Sequence, residues 1–282
     1  MKKGLVMEGG ALRGLFTAGI LDVLLENNIE FDGAIGVSAG AAFGCNYKSK
    51  QIGRTIRYNR KYCNDKNYCG WSSWLKTGNF YNEQFAYIDL PQKLDIFDEK
   101  TFQENPMEFY VVSTDVITGK PFYKMLVDGN ANDVKWLRAS SAMPMMSKIV
   151  EVEGGFYLDG GMSDSIPLEY FESIGYNKNI VITTQPKGFV KEPNKFLPFI
   201  KMAYRKYPKL IETVANRHIM YNHQLKYIEE AEKADRAFVI RPFNALNIKP
   251  GERNVAELDR VYDMGIKQAT ELLEDIKRFL EK

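Results

Sequence analysis

The chain has 282 residues, of which 45% are hydrophobic and 26% charged, and a formal net charge of +2. That much apolar material fills a core and excludes intrinsic disorder, while so small a net charge gives no reason to expect a nucleic-acid partner. No run approaches the roughly 20 apolar residues needed to span a bilayer, and Met1-Lys2-Lys3-Gly4 leads into a strand pattern rather than a signal sequence, so a cytoplasmic protein is expected.

Three cysteines (Cys45, Cys63, Cys69) fit neither a disulfide framework nor a paired zinc site, and read as reduced thiols. Charge is uneven along the chain: residues 186–282 hold 19 Lys+Arg against 14 Asp+Glu, an excess the first 185 residues lack.

In chain order, Lys3 to Glu8 predicts a short buried strand, followed by the turn Gly9-Gly10-Ala11-Leu12-Arg13-Gly14. Leu15, Ala18, Ile20, Leu21, Leu24 and Leu25 then recur at helical spacing until Asn27-Asn28. Phe31 to Val37 predicts a second strand and Ala39 onward a second helix, which completes a βαβ unit and implies a parallel sheet with helices on its faces. Further strands are expected at Met107 to Thr114, Phe122 to Val127, Lys148 to Val152 and Lys178 to Thr184, for a sheet of about six. Past Gln185-Pro186-Lys187-Gly188 the pattern turns to long helices (about 195–208, 210–234 and 255–282), interrupted by one strand at Ala237 to Arg241. The expected organisation is an α/β domain over residues 1–190 and a mostly helical extension over 191–282.

Gly36-Val37-Ser38-Ala39-Gly40 matches G-x-S-x-G, a strand-to-helix turn that thrusts a serine out of the backbone. The same five residues also read as a glycine turn with an N-capping serine. A serine hydroxyl attacks only when a base removes its proton, and the resulting oxyanion needs fixed donors. The amides of Gly9, Gly10 and Ala11, at the mouth of the neighbouring strand, suit that task. A dinucleotide site is the rival for this loop, but Ala11 replaces the second glycine of G-x-G-x-x-G and the second strand ends in the serine turn instead of an acidic residue. For the base, Asp159 closes a short apolar strand and precedes Gly160-Gly161, although an Asp-Gly pair also reads as a bare turn.

Together and in this order, the three segments resemble the patatin-like phospholipase family, whose marks are D-G-G-G-x-R-G, G-x-S-x-G and D-G-[GA]. The resemblance covers the N-terminal two-thirds of the chain. It implies a three-layer α/β/α fold and a serine acyl hydrolase of phospholipase A or esterase type, with a lipid or acyl ester as substrate and no metal or organic cofactor. Carried over by position, Ser38 becomes the nucleophile, Asp159 the base of a Ser-Asp dyad, Gly9, Gly10 and Ala11 the oxyanion hole, and Arg13 a substrate-binding residue in the arginine position of the strip. Ala139-Ser140-Ser141-Ala142-Met143-Pro144 is similar to an A-S-x-A-x-P segment common in such proteins. Glu8 and Ala11 depart from the usual aspartate and third glycine.

Two other readings stay open. Ser38, Asp159 and then His218 or His223 follow the order of an α/β-hydrolase triad, and a non-catalytic lipid-binding module on the same fold is compatible with the Ala11 departure. Lys195 to Lys209 contains five basic and no acidic residues beside Phe196, Leu197, Phe199 and Ile200. As a single helix it would align Lys201, Arg205 and Lys209, predicting peripheral contact with an anionic membrane; a solvated face on a packed helix is the plainer reading. Trp71, Trp74, Phe80 and Tyr81 read either as a cover or acyl-binding wall, or as core.

Overall fold

Strands covered by helices on both faces must be apolar throughout, and Leu5-Val6-Met7, Ala34-Ile35 and Ile180-Val181-Ile182 are fully buried runs of that kind. In the computed structural model, which describes residues 1–282, they lie at the centre of an eight-stranded sheet. Its strands are β1 (Lys2–Met7), β2 (Gly33–Val37), β3 (Glu108–Asp115), β4 (Pro121–Leu126), β5 (Val150–Val152), β6 (Gly155–Asp159), β7 (Tyr176–Ile182) and β8 (Ala237–Ile240). The order is β5-β6-β3-β2-β1-β7-β8, with β4 also paired to β3. The stretch from β3 to β8 is parallel, and β4, β5 and β6 run antiparallel to their neighbours.

The helices are α1 (Gly14–Glu26), α2 (Ala39–Lys48), α3 (Arg54–Tyr62), α4 (Trp71–Thr77), α5 (Glu99–Glu104), α6 (Ala131–Ser140), α7 (Leu168–Ser173), α8 (Leu197–Ala203), α9 (Pro208–Lys233) and α10 (Val255–Glu281). A wide π-type helix spans Phe85–Leu94. Side-chain alternation along each strand separates two apolar layers. Leu5, Met7, Ile180, Ile182 and Ile240 pack with α1, α2, α6 and α10 on one face. Val6, Ile35, Val37, Val181 and Val239 pack with α7 and α9 on the other. The result is a three-layer α/β/α fold.

The sheet has eight strands where about six were expected. The two additions are segments already expected as strands but not counted in the sheet: Ala237–Ile240 lies parallel beside β7, and Gly155–Asp159, the short strand that Asp159 closes, pairs with β3. Residues 191–282 complete both helical layers. Tyr221, Ile228 and Ala231 of α9 are buried on the second face, and α10 crosses α1 where a Cβ on Gly19 would lie 2.2 Å from the Tyr262 carbonyl oxygen and one on Gly265 2.1 Å from that of Phe16. Both sides of the division expected near residue 190 therefore share one sheet and its cores.

The basic stretch at 195–209 is not one helix. Helix α8 stops at Ala203, and Pro208 opens α9. Tyr207, as the residue before proline, is excluded from the α region and sits at φ −125°, ψ 69°. Lys201 lies on α8, Arg205 in the turn and Lys209 on α9, so the predicted common face does not form.

Candidate active site

Strand β2 ends at Val37 and α2 begins at Ala39, leaving Ser38 alone in the turn with φ 54°, ψ −121°. A non-glycine residue there stores on the order of 1–3 kcal/mol of backbone strain. The flanking glycines permit so sharp a turn by their size: a Cβ on Gly40 would lie 2.4 Å from the Met7 carbonyl oxygen, and one on Gly36 2.6 Å from Ala41 Cα.

Sheet register carries Asp159 to the same place. Val37 of β2 pairs with Val112 of β3, and Asp159 of β6 pairs with Ser113, the next residue of β3. Since β4 pairs with residues 109–114 of β3 along one edge, β2 and β6 must share the other, end to end. Ser38 and Asp159 thus meet at the junction of two strands, and the flagged segment at 139–144 braces both. The Ser38 amide donates to Ser140 Oγ at 2.9 Å, and the Asp159 amide to the Ala142 carbonyl oxygen at 2.9 Å.

Asp159 is 5% exposed, and its Oδ1 accepts a 2.8 Å hydrogen bond from the Gly161 amide. Burial pushes the carboxyl above its ordinary range; the Ser38 hydroxyl, the Arg217 guanidinium and the Gly161 amide oppose that shift. No histidine hydrogen-bonds to Ser38 or Asp159. His223 is exposed, and the Nδ1 of half-buried His218 has no partner.

The glycine strip lies directly against this pair. A Cβ on Gly9 would fall 2.8 Å from the Val37 carbonyl oxygen and 2.9 Å from Ser38 Cβ. The Gly9 and Gly10 amides have no acceptor within the protein, whereas the amide before them, of Glu8, donates to the Ile182 carbonyl oxygen, and that of Arg13, three residues on, donates to the Gly10 carbonyl oxygen. Ala11 takes φ 50°, the left-handed region that a glycine would occupy without strain. Its methyl group joins the lining of an apolar cavity.

That cavity, about 910 Å³ counted to its open mouth, starts at Ser38 and Ala11 and is walled by Ala42, Phe43, Leu90, Phe97 and Leu137. Arg54, which donates to Asn46 Oδ1 at 2.8 Å, also lines it. Cys45, seven residues along α2 from Ser38, lines it too, so the cavity follows that helix for roughly 10 Å. Of the four aromatic residues singled out in sequence, Tyr81 lines the cavity and Phe80 is buried; Trp71 is 65% exposed and neither it nor Trp74 lines the cavity. Most of the aromatic wall comes from Phe43, Tyr58, Tyr68, Tyr87 and Phe97, which carry no motif.

Sequence reasoning missed the residues that α9 brings to the site. Tyr221 donates to Glu8 Oε1 at 2.6 Å, and the Thr184 amide donates to Glu8 Oε2 at 2.6 Å. Glu8 in the usual aspartate position therefore ties β1 to β7 and α9. Arg217 Nε donates to the Gly161 carbonyl oxygen at 2.5 Å. Arg13 Nε lies 3.4 Å from Thr184 Oγ1. Arg217 is 56 residues from Gly161 and Tyr221 is 213 from Glu8, so nothing local in the sequence links them to those motifs; the path of the chain through α9 does.

Residues 5–172 match the family model described as patatin-like phospholipase. The chain belongs to the patatin-like phospholipase family. This membership makes it a hydrolase of carboxylic ester bonds. Residues 207–281, which include all of α9 and α10, match a second family described as a domain of unknown function (DUF6363). The uncharacterized protein YjjU of Escherichia coli (strain K12) is 29% identical over 280 residues, spanning 93% of this chain and 74% of its own length. Lysophospholipase nte1 of Aspergillus terreus is 23% identical, with 97% of this chain matching only 18% of that protein. Among solved structures, VipD from Legionella pneumophila superposes with a TM-score of 0.46 at 13% identity, over 97% of this chain and 67% of VipD. No helix is long and apolar enough to cross a membrane.

Proposed function

We propose that this patatin-like protein is a lipid acyl hydrolase that works through a Ser38-Asp159 dyad and an acyl-enzyme intermediate. The observation that supports it most is the meeting of a strained serine with a buried carboxylate at the head of an apolar cavity. The acyl chain lies along α2, and its carbonyl carbon rests over Ser38 Oγ. Asp159 takes the hydroxyl proton as Oγ bonds to the carbonyl carbon, and the free amides of Gly9 and Gly10, followed by Ala11, receive the oxyanion. Asp159 then returns the proton to the departing alcohol, and a water deprotonated by Asp159 releases the acid. A carboxylate is ordinarily a weak base for a hydroxyl; burial strengthens it here, and an acyl chain that excludes water strengthens it further.

Approach to lipid has its own support. Around α8, Phe196 (67% exposed), Phe199 and Met202 (70% exposed) face solvent beside Lys195 and Lys201, a composition suited to peripheral contact with an anionic surface.

The test is covalent labelling by a fluorophosphonate probe together with a panel of acyl esters and phospholipids, run on wild type and Ser38→Ala. Loss of labelling and of every hydrolysis in the variant is expected. Undiminished hydrolysis by Ser38→Ala overturns the proposal.

A further inference from the structure

The apolar cavity ends on a buried cation. Beside Ser38 its lining residues Ala11, Ser141 and Met143 are half-buried, whereas Cys45, Tyr58, Leu90 and Phe97 are buried, and with them Arg54, only 4% exposed. Helix α2 places Arg54 at the end away from Ser38: its Nη1 donates at 2.8 Å to Oδ1 of Asn46, the residue after Cys45. Its Nε and Nη2 donate to the Asp95 carbonyl oxygen at 3.1 and 2.6 Å, and Nε lies 3.3 Å from Asp95 Oδ1. The guanidinium also stands against two rings of the cavity wall, 5.5 Å from the centroid of Tyr58 and 5.4 Å from that of Phe97.

This end is rigid. Asn46 is held with its oxygen toward Arg54, because its Nδ2 donates to the Phe43 carbonyl oxygen and to Thr55 Oγ1, each at 3.0 Å. Asp95 is gripped from the other side by Arg57 through two 2.8 Å bonds. The charge of Arg54 is matched by Asp95, so it calls for no anion; its effect is to terminate an otherwise apolar slot. A chain long enough to reach the guanidinium must displace it and leave Asn46 Oδ1 and the Asp95 carbonyl oxygen without their donor.

Resting on the hydrolase reading above, we infer that Arg54 sets the length of the acyl group, so that medium-chain esters are accepted and long-chain ones excluded. The room available follows from α2, along which Ser38 and Cys45 are roughly 10 Å apart. An extended alkyl chain advances about 1.25 Å per carbon, given bonds of about 1.5 Å. The slot therefore takes roughly eight carbons. Up to that length each methylene leaves water for an apolar wall and should raise kcat/KM by as much as about fourfold. Beyond it, added carbons meet the guanidinium.

The test is a series of p-nitrophenyl esters from butyrate to palmitate on wild type and on Arg54→Met, which keeps the apolar stem and removes the guanidinium. In wild type kcat/KM should peak near octanoate and be at least tenfold lower at dodecanoate; an equal or higher value at dodecanoate overturns the inference. In Arg54→Met the ratio of dodecanoate to octanoate should rise at least tenfold, and an unchanged ratio overturns the inference even when both rates fall. Should Arg54→Met not fold, Arg54→Lys keeps a cation beside Asp95 on a shorter side chain: its peak should move to a longer ester, and a peak left in place overturns the inference. If wild type hydrolyses no ester and no fluorophosphonate labels Ser38, the hydrolase reading has failed. The length limit is then read by calorimetry with free octanoic and dodecanoic acids. Weaker binding of dodecanoic acid to wild type, reversed in the Arg54 variant, upholds it; equal or tighter binding of dodecanoic acid to wild type overturns it.

Discussion

Replacing Asp159 with asparagine separates chemistry from stability in a way a merely structural residue does not. Oδ1 of Asp159 holds the Gly161 amide at 2.8 Å, and the amide oxygen of an asparagine can keep that bond. The other position, near Ser38, then carries an NH2 group, which donates and cannot accept the Ser38 proton. Loss of a general base is worth about 10²–10⁴ in rate, or roughly 3–5 kcal/mol of barrier. Stability should move the other way or not at all. Burial raises the Asp159 carboxyl above its unfolded value, so its ionisation at neutral pH opposes folding, and a neutral isostere removes that cost. The measurements are hydrolysis of a p-nitrophenyl ester and thermal unfolding at pH 7. Asp159→Asn should lose at least 99% of kcat with an unfolding temperature equal to or above that of wild type, while the double variant His218→Asn, His223→Asn keeps its activity. A variant at residue 159 that stays within tenfold of wild type, beside an inactive double-histidine variant, would falsify the dyad and favour the triad.

Two further outcomes follow from the same geometry. Gly9→Ala places a methyl group 2.8 Å from the Val37 carbonyl oxygen and 2.9 Å from Ser38 Cβ, both attached to rigid backbone, so the strip must move away from Ser38; steady-state kinetics should show a fall in kcat of about 10²–10³, the usual cost of a lost oxyanion donor, with circular dichroism unchanged. Asp164, buried beneath α9, accepts from Tyr123 at 2.8 Å and Gln224 at 2.5 Å, and burial pushes its carboxyl up to about 6. A carboxyl raised in the folded state contributes stability below its unfolded value of 3.8 that is lost as pH rises through about 6. Asp164→Asn should therefore gain stability, on the order of 3 kcal/mol at most, at pH 8 and nearly nothing at pH 4; equal gains at both pH values would show that its ionisation is not the cause.

How much of this was legible in sequence depended on whether a feature is made by neighbours in the chain or by neighbours in space. The serine turn, the glycine strip and the Asp159 strand end are local, and their residue types record the local requirement: glycine where a Cβ on α2 would lie 2.4 Å from the Met7 carbonyl oxygen of β1, serine where the backbone turns at φ 54°. Their convergence was not local. It depends on β2 and β6 sharing one edge of β3, a register that no five-residue motif contains. The break at Tyr207 was signalled by Pro208, yet the basic run around it suggested a continuous face, because charge spacing alone does not register a backbone constraint.

Ala11 shows the converse. Its departure from glycine reads in sequence as a weakness of the site, and in the fold it keeps the left-handed φ that a glycine would have, because Gly10 and the Thr184 contacts on either side of the strip over-determine the turn. The same long-range ties explain why the last third of the chain looked separable. Tyr221 contributes to the second-face core by its ring and to the end of β1 by its hydroxyl on Glu8, 213 positions away. A chain lacking α9 would thus leave Glu8 buried without one of its two donors and would remove Arg217 from the Asp159 turn, so the segment that carries no recognisable motif is part of what holds the motif-bearing residues in place.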